Sequence, residues 1–391
     1  MGKALVVGGN SGIGLAVTLR LLDRGYEYVY IVGKEEPSLM DIPSKYREIF
    51  VQRTIFRKVN LILGEYEVFN SIDDIDTLII TAGFGRISPF EELRDCEITN
   101  LVKCNFLAIT QIIKKYYPLI QSEKSFYCAI MGSIAGHLAS PLFSIYSATK
   151  AGLCRFIENI NIELGCQGYK NRILDVSPGS IKGTKFNGKE NNMDLVLELA
   201  NDIIKQMLGR ETLYIPEYDS VYKNVLEEYR NDPISFGYNS YAYKKNSNRM
   251  SGKPQVVVGY LSGTFDLFHI GHLNLLRRAK QYCDYLIVGV HKSGSWKGKE
   301  TYISFEERAE IVRNIKYVDK VIESYTEDSD AYDALKFDKL FVGSDYKGTE
   351  RFLRYEQYFK DKGVEIVYFP YTQSTSSTQL RAAISKQIDK K

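Results

Sequence analysis

The chain opens twice in the same way. Near its start, Ala4–Val7 is a short apolar run that ends in Gly8-Gly9-Asn10-Ser11-Gly12-Ile13-Gly14 and passes into Ile13–Leu22, whose apolar residues recur at helical spacing. Far downstream, Gln255–Tyr260 reads as a strand and Gly271–Gln281 as a helix, with Gly263-Thr264-Phe265-Asp266-Leu267-Phe268-His269 between them. Strand, glycine-bearing turn and helix is the unit from which parallel sheets are built. It also leaves a helix N-terminus facing whatever binds at the turn. Two such openings predict two α/β units in tandem, each a doubly wound parallel sheet.

The intervening pattern agrees. Tyr28–Val32 and Thr77–Ile80 read as strands, the latter running into Ala82-Gly83. Ile98–Ile120 reads as one long helix with Leu101, Phe106, Ile109 and Ile113 on a shared face. Ser125–Met131 is a buried strand, Tyr146–Leu164 a helix, Arg172–Val176 a strand before Pro178-Gly179, and Met193–Leu208 a helix. The stretch to Met250 is rich in Tyr, and Tyr238–Lys253 is dense in Asn, Ser, Lys and Gly, the composition of a surface extension plus linker. The pattern then restarts with the second opening, strands at Tyr285–Val290, Lys339–Val342 and Glu365–Phe369, and helices at Ser304–Asn314 and Ser377–Ile384. The expected domains are 1–237 and 254–391, joined by 238–253.

A length of 391 residues suits two such domains, each with its own core. A net charge of +3 is small for this length, so it implies no nucleic-acid partner and no anionic membrane surface. The cysteines Cys96, Cys104, Cys128, Cys154, Cys166 and Cys283 form no CxxC pair and read as scattered reduced thiols. The N-terminus runs directly into an apolar strand, and no stretch reaches membrane-spanning length, so a cytoplasmic enzyme without membrane insertion is expected.

Tyr146 and Lys150 stand at i and i+4, hence on one helix face. An ammonium beside a phenol favours the phenolate, and such a tyrosine can pass a proton to an alkoxide forming beside a nicotinamide. Ser133 follows the preceding strand, where its hydroxyl could hold a substrate carbonyl. From about Lys3 to Thr184 the chain resembles the short-chain dehydrogenase/reductase family. The resemblance rests on Gly8, Gly12 and Gly14, on Asp76 with Ala82-Gly83, and on Asn105, Ser133, Tyr146, Lys150 and Pro178-Gly179. It implies a Rossmann-like fold, a homo-oligomer (dimer or tetramer) and the catalytic tetrad Asn105, Ser133, Tyr146 and Lys150. Tyr146 would be the proton donor, Lys150 would bind the nicotinamide ribose and Asn105 would hold the proton relay. Gly8, Asn10, Ser11, Gly12, Ile13, Gly14, Ala82, Gly83, Pro178, Gly179 and Thr184 would line the dinucleotide. The sequence departs from the family at Ile80-Thr81, at Val7 and at the displaced Thr184. At the end of the second strand stands Gly33-Lys34 in place of an acid, which favours NADP(H) over NAD(H).

His269 and His272 stand three apart beside a helix N-terminus. Two imidazoles there can donate to phosphate oxygens while one phosphate attacks the α-phosphorus of a nucleoside triphosphate, a reaction that needs donors and Mg²⁺ but no covalent nucleophile. A His-x-x-His zinc site is the competing reading, although no Cys or third ligand lies at a useful spacing. From about Val256 to Ile384 the chain resembles the cytidylyltransferases of glycerol 3-phosphate, ethanolamine phosphate and choline phosphate. The resemblance implies that Gly263, Thr264, Phe265, Asp266, His269 and His272 bind CTP. It adds Lys297 and Lys299, Arg308 of the Ser304-Phe305-Glu306-Glu307-Arg308 element, and Ser376-Ser377-Thr378. Tyr371 and Ser374-Thr375 depart from that family's Arg and Gly-Ile, and adenylyl transfer from ATP stays open.

A ketone reductase joined to a cytidylyltransferase implies consecutive steps, from ketose phosphate to polyol phosphate to CDP-polyol. Ribulose 5-phosphate leading to CDP-ribitol is preferred, and CDP-glycerol is the alternative. Such CDP-polyols resemble precursors of capsule and teichoic-acid-type polymers. Lys182 and Lys185 are candidates for the substrate phosphate. A catalytically silent nucleotide-sensing scaffold is the reading of another class, and it would not need Ser133, Tyr146, Lys150, His269 and His272.

Overall fold

In a computed structural model of the chain, residues 2–184, 186, 192–246, 256–293, 301–370 and 379–381 are described. The chain forms two units, Met1–Lys253 and Pro254–Lys391.

The first unit is a parallel sheet in the order β3-β2-β1-β4-β5-β6-β7. Its strands are β1 Lys3–Val7, β2 Tyr28–Gly33, β3 Thr54–Lys58, β4 Thr77–Ile80, β5 Tyr127–Met131, β6 Ile173–Val176 and β7 Leu213–Tyr214. Its helices are α1 Gly12–Asp23, α2 Ser44–Arg53, α3 Asp95–Val102, α4 Ala108–Ile120, α5 Ser144–Cys166, α6 Met193–Leu208, α7 Lys223–Asn231 and α8 Pro233–Asn246. The alternation of β1 shows why the sheet is covered twice. Ala4 and Val6 face a core shared with Leu15, Leu19, Ile203 and Met207, while Leu5 and Val7 face another shared with Ile109, Ile113, Leu153 and Ile157.

The long helix read over Ile98–Ile120 runs from Asp95 to Ile120, but Lys103–Leu107 is a π-helical turn between α3 and α4. The stretch read as linker is also helical at first. Helix α8 continues to Asn246, and Lys244 Nζ donates to Ser140 Oγ at 2.7 Å and to Pro141 O at 3.0 Å. A tertiary anchor has overridden a loop-like composition.

The second unit is a parallel sheet in the order β10-β9-β8-β11-β12. Its strands are β8 Val258–Gly263, β9 Tyr285–Val290, β10 Lys320–Glu323, β11 Lys339–Gly343 and β12 Glu365–Phe369, with helices α9 Ile270–Gln281, α10 Phe305–Arg313, α11 Asp328–Leu335 and α12 Glu350–Lys360. The opening strand lies a few residues later than the sequence suggests. Of the closing helix expected over Ser377–Ile384, residues 379–381 are described and are helical. Leu261, Leu276, Leu286, Val288 and Val312 share one core. No helix among the described residues is long and apolar enough to cross a membrane.

Candidate functional site

In both sheets the strand order reverses beside the first strand, and the crevice at the strand ends there is the expected ligand position. The turn after β1 shows why its glycines are needed. Gly8 has φ 88° and Gly12 φ 51°, and a Cβ on Gly14 would stand 2.2 Å from Gly8 O. Ser11 caps α1 in extended conformation without a side-chain capping bond, and the first turn carries no acid. The helix N-terminus therefore presents amide hydrogens to an anion. Asn10 lies against Gly33 at the end of β2, and the next residue, Lys34, is exposed. Thr184 packs on Gly12, and Thr81 Oγ1 bonds back to the carbonyls of Val7 and Gly8. Ile13 is half-buried in the first turn of α1. These residues fit a dinucleotide, since the cradle is one that added side chains would fill.

The structure brings Asn105, Ser133, Tyr146 and Lys150 together. Asn105 sits in the π turn and is fully buried. Its Oδ1 accepts from Phe84 N at 3.0 Å and its Nδ2 donates to Phe84 O at 2.8 Å. A Cβ on Gly83 would lie 3.2 Å from Asn105 Oδ1 and 3.4 Å from Lys150 Nζ, so Gly83 stands over both. Ala82 N donates to Val7 O at 3.1 Å, which ties this loop to the nucleotide turn. Lys150 Nζ donates to Met131 O at 2.7 Å and lies 5.7 Å from the Tyr146 ring centroid. Pro178 O accepts from Ile134 N at 3.0 Å, which ties the Pro-Gly turn to the Ser133 turn.

The electrostatics differ from the expectation. Burial pushes the Tyr146 hydroxyl up to about 12, although its hydrogen bond with Ser133 pulls the other way. Burial also pulls Lys150 down to about 8, against Cys104, Cys154 and Asp175. Desolvation sets the direction for the phenol. Tyr146 thus holds its proton through neutral pH, the state a proton donor requires.

Several neighbours had no signal in the spacing. Phe143 stacks on Tyr146 with centroids 4.1 Å apart, and a Cβ on Gly179 would stand 1.6 Å from the Tyr222 hydroxyl. Of the two lysines considered for the substrate phosphate, Lys182 is exposed and Lys185 lies outside the described residues.

In the second unit the turn Gly263–Leu267 is backbone-strained, with Phe265 at φ 54° and Leu267 at φ 48°. His269 caps α9, and its Nδ1 accepts from Gly271 N at 3.0 Å. His272 Nδ1 accepts from His269 N at 3.4 Å. Each ring therefore carries its hydrogen on Nε2, the nitrogen suited to donate to phosphate. The ring centroids are 4.1 Å apart. Burial lowers both imidazoles. His272 falls to about 4, with His269 adding to the effect and Asp266 opposing it. Both are neutral donors at neutral pH.

Asp266 and Arg308, both expected to bind CTP, have partners within the protein. Asp266 is buried, accepts from Tyr302 N and Ile303 N, and pairs with Arg381. Arg308 is 0% exposed and donates to the carbonyls of Ile303, Thr264, His291 and Lys292. It stitches together the loops at Thr264, His291-Lys292 and Ile303. Arg308→Met should leave those carbonyls unsatisfied and destabilise the second unit by about 3 kcal/mol, measured as a shift of its denaturant midpoint with ketone reduction unchanged. Lys297, Lys299, Ser376, Ser377 and Thr378 lie outside the described residues.

Known proteins divide at the same place. The short chain dehydrogenase family matches residues 2–195, and the cytidylyltransferase-like family matches residues 260–383. Glycerol-3-phosphate cytidylyltransferase of Bacillus subtilis (strain 168) is 38% identical over 127 residues, 32% of this chain and 93% of that protein. The 3-oxoacyl-(acyl-carrier-protein) reductase FabG of Staphylococcus epidermidis is 26% identical over 211 residues, 53% of this chain and 82% of that protein. A solved short-chain dehydrogenase from Streptomyces avermitilis, 21% identical, superposes with a TM-score of 0.50 over 62% of this chain and 98% of that one, a likeness of fold. Through its first unit the chain belongs to the short-chain dehydrogenases and through its second to the cytidylyltransferase-like proteins, which makes it a bifunctional oxidoreductase and nucleotidyltransferase.

Proposed function

We propose that the chain reduces a ketose phosphate with NADPH and couples the resulting polyol phosphate to CTP, giving a CDP-polyol and pyrophosphate. The observation that carries this reading is the union of two chemistries in one polypeptide. The reductase unit makes an alcohol from a ketone, and the transferase unit needs a phosphate monoester as nucleophile. A phosphorylated ketose is the substrate that passes through both with its phosphate intact. D-ribulose 5-phosphate is the preferred ketose, because the polyol made from it is one that a dedicated, fused reductase serves. CDP-ribitol, a precursor for capsule or teichoic-acid-type polymers, is then the product. The 38% identity to a glycerol-3-phosphate cytidylyltransferase favours CDP-glycerol as the second reading.

In the first step bound NADPH supplies the hydride. Ser133 holds the carbonyl oxygen, and Tyr146 gives its hydroxyl proton to the alkoxide oxygen. Lys150, fixed on Met131 O, orients the ribose side of the cofactor, and Asn105 keeps the π turn and the Phe84 loop in place. In the second step the Nε2–H groups of His269 and His272 donate to the α-phosphate oxygens as charge builds there. Mg²⁺, if carried in as the counter-ion of the triphosphate, would neutralise part of its charge. Among the described residues the one group of three side chains with metal-binding spacing is His137, Cys154 and Asp175, which belongs to the first unit.

Ketose phosphate, NADPH, CTP and Mg²⁺ supplied together should yield a CDP-polyol two hydrogens heavier than the CDP-ketose, read by mass spectrometry. Formation of CDP-ketose before reduction would refute the order, and a need for ATP would refute CTP. The exposed Lys34 at the end of β2 should make NADPH the preferred reductant. Lys34→Ala should raise the KM for NADPH more than that for NADH, and equal efficiency with both in the unmodified chain would remove this assignment.

A further inference from the structure

A cleft of about 730 Å³ opens in the reductase unit, lined by His137, Glu217, Asp219, Ser220 and Arg230 and for the rest by apolar and aromatic side chains such as Leu226. Asn105, Ser133, Tyr146 and Lys150 do not line it, but two short segments of chain connect it to the reaction centre. His137 closes the short 3-10 turn that Ser133 opens. Tyr222, whose hydroxyl lies against Gly179, ends the π-helical segment Tyr218–Tyr222 whose earlier residues line the cleft. That segment begins after Glu217, which is held at φ 57°, a conformation costly for a residue with a side chain.

The imidazole at the cleft wall is set from the interior. Ser177 Oγ donates to Asp175 Oδ1 at 2.8 Å and lies 3.0 Å from His137 Nε2. Since the hydroxyl proton is spent on the carboxylate, His137 carries its hydrogen on Nε2 and donates to Ser177. Asp175 is buried and approaches only because residue 132 is glycine, where a Cβ would stand 2.1 Å from Oδ1. The thiol of Cys154 completes the group, 3.8 Å from Ser177 Oγ. The Ser177 hydroxyl bonds within this group and satisfies it, so the arrangement fixes a tautomer. Nδ1 of His137 is the acceptor nitrogen of a ring that lines the cleft.

We propose that this cleft is the tail subsite of the reductase and binds the hydroxylated, phosphorylated end of an open-chain ketose phosphate. A substrate hydroxyl donates to His137 Nδ1, the Glu217 and Asp219 carboxylates accept from further hydroxyls, and the Arg230 guanidinium pairs with the terminal phosphate. The Arg fork matches a phosphate in two parallel hydrogen bonds. The two carboxylates penalise a bare anion and favour a ligand that is hydroxylated as well as anionic at one end, with its carbon chain against the apolar part of the lining. The order suits the reaction, since His137 is continuous with Ser133 while Arg230 lies on α7. This inference rests on the reading of the reductase substrate as a ketose phosphate.

The test is steady-state reduction of D-ribulose 5-phosphate and of D-ribulose by the full chain. Arg230 is exposed, so replacing it leaves the core intact. Arg230→Gln should raise the KM for D-ribulose 5-phosphate about tenfold or more, with kcat little changed and the KM for D-ribulose unmoved. Arg230→Lys should recover part of the loss, and His137→Gln should raise KM for both ketoses. An unchanged KM for D-ribulose 5-phosphate in Arg230→Gln overturns the subsite. Failure of the unmodified chain to reduce any ketose phosphate overturns instead the substrate reading beneath it.

Discussion

Tyr146→Phe should lower ketone reduction about 10³-fold and leave CTP-dependent pyrophosphate release from added polyol phosphate near normal. The substitution removes one oxygen from a buried ring that stays stacked on Phe143, so the fold has little reason to respond. What disappears is the hydroxyl bonded to Ser133, which burial keeps protonated to about 12. The transferase histidines lie in the other unit, on their own sheet and core. NADPH oxidation and pyrophosphate release, measured on the same preparation, check both halves. Loss of both activities in a folded variant would end the two-site reading.

The reverse pattern is expected of His272→Ala. Removing one preorganised donor to a developing charge costs about 10²–10³ in turnover, while reduction stays intact. The same residue sets an acid limit on the second unit. His272 falls from an ordinary 6.5 to about 4 in the fold because burial disfavours its cation. As pH drops, the unfolded chain therefore binds the proton first. The stability contribution is complete above about pH 6.5 and is lost progressively towards pH 4. Thermal unfolding of the second unit across that range should show the slope, and His272→Ala should flatten it. An identical slope in the variant would assign it to other groups.

Much of this protein is written in local spacing. The alternation of Ala4–Val7, the glycines at 8, 12 and 14, and the periodicity of Met193–Leu208 are each set within one or two turns of chain, and the structure has the corresponding elements. The i, i+4 relation of Tyr146 and Lys150 and the i, i+3 relation of His269 and His272 are of the same kind, because helix geometry converts spacing into a shared face. Helices α2, α7, α8, α11 and α12, with the short strands β3, β7 and β10, went unread. The strands are brief or lie at sheet edges, and the helices are short or polar overall, so few apolar residues mark α7, α11 and α12 despite their shared faces.

The tertiary structure decided matters that depend on residues far apart in the chain. The family resemblance puts Arg308 and Asp266 against a nucleotide, and the fold adds the loop carbonyls and amides they bond, because burial obliges a charged group to find partners wherever the fold supplies them. Asn105 occupies a π turn that a helical repeat does not reveal. The phenol of Tyr146 rises rather than falls, since the depth of its pocket is a property of the packed unit. The tautomers of His137, His269 and His272 follow from hydrogen bonds made in the folded chain. Residue types and short spacings name the available chemistry, whereas desolvation and long-range contact set the protonation state and task of each group.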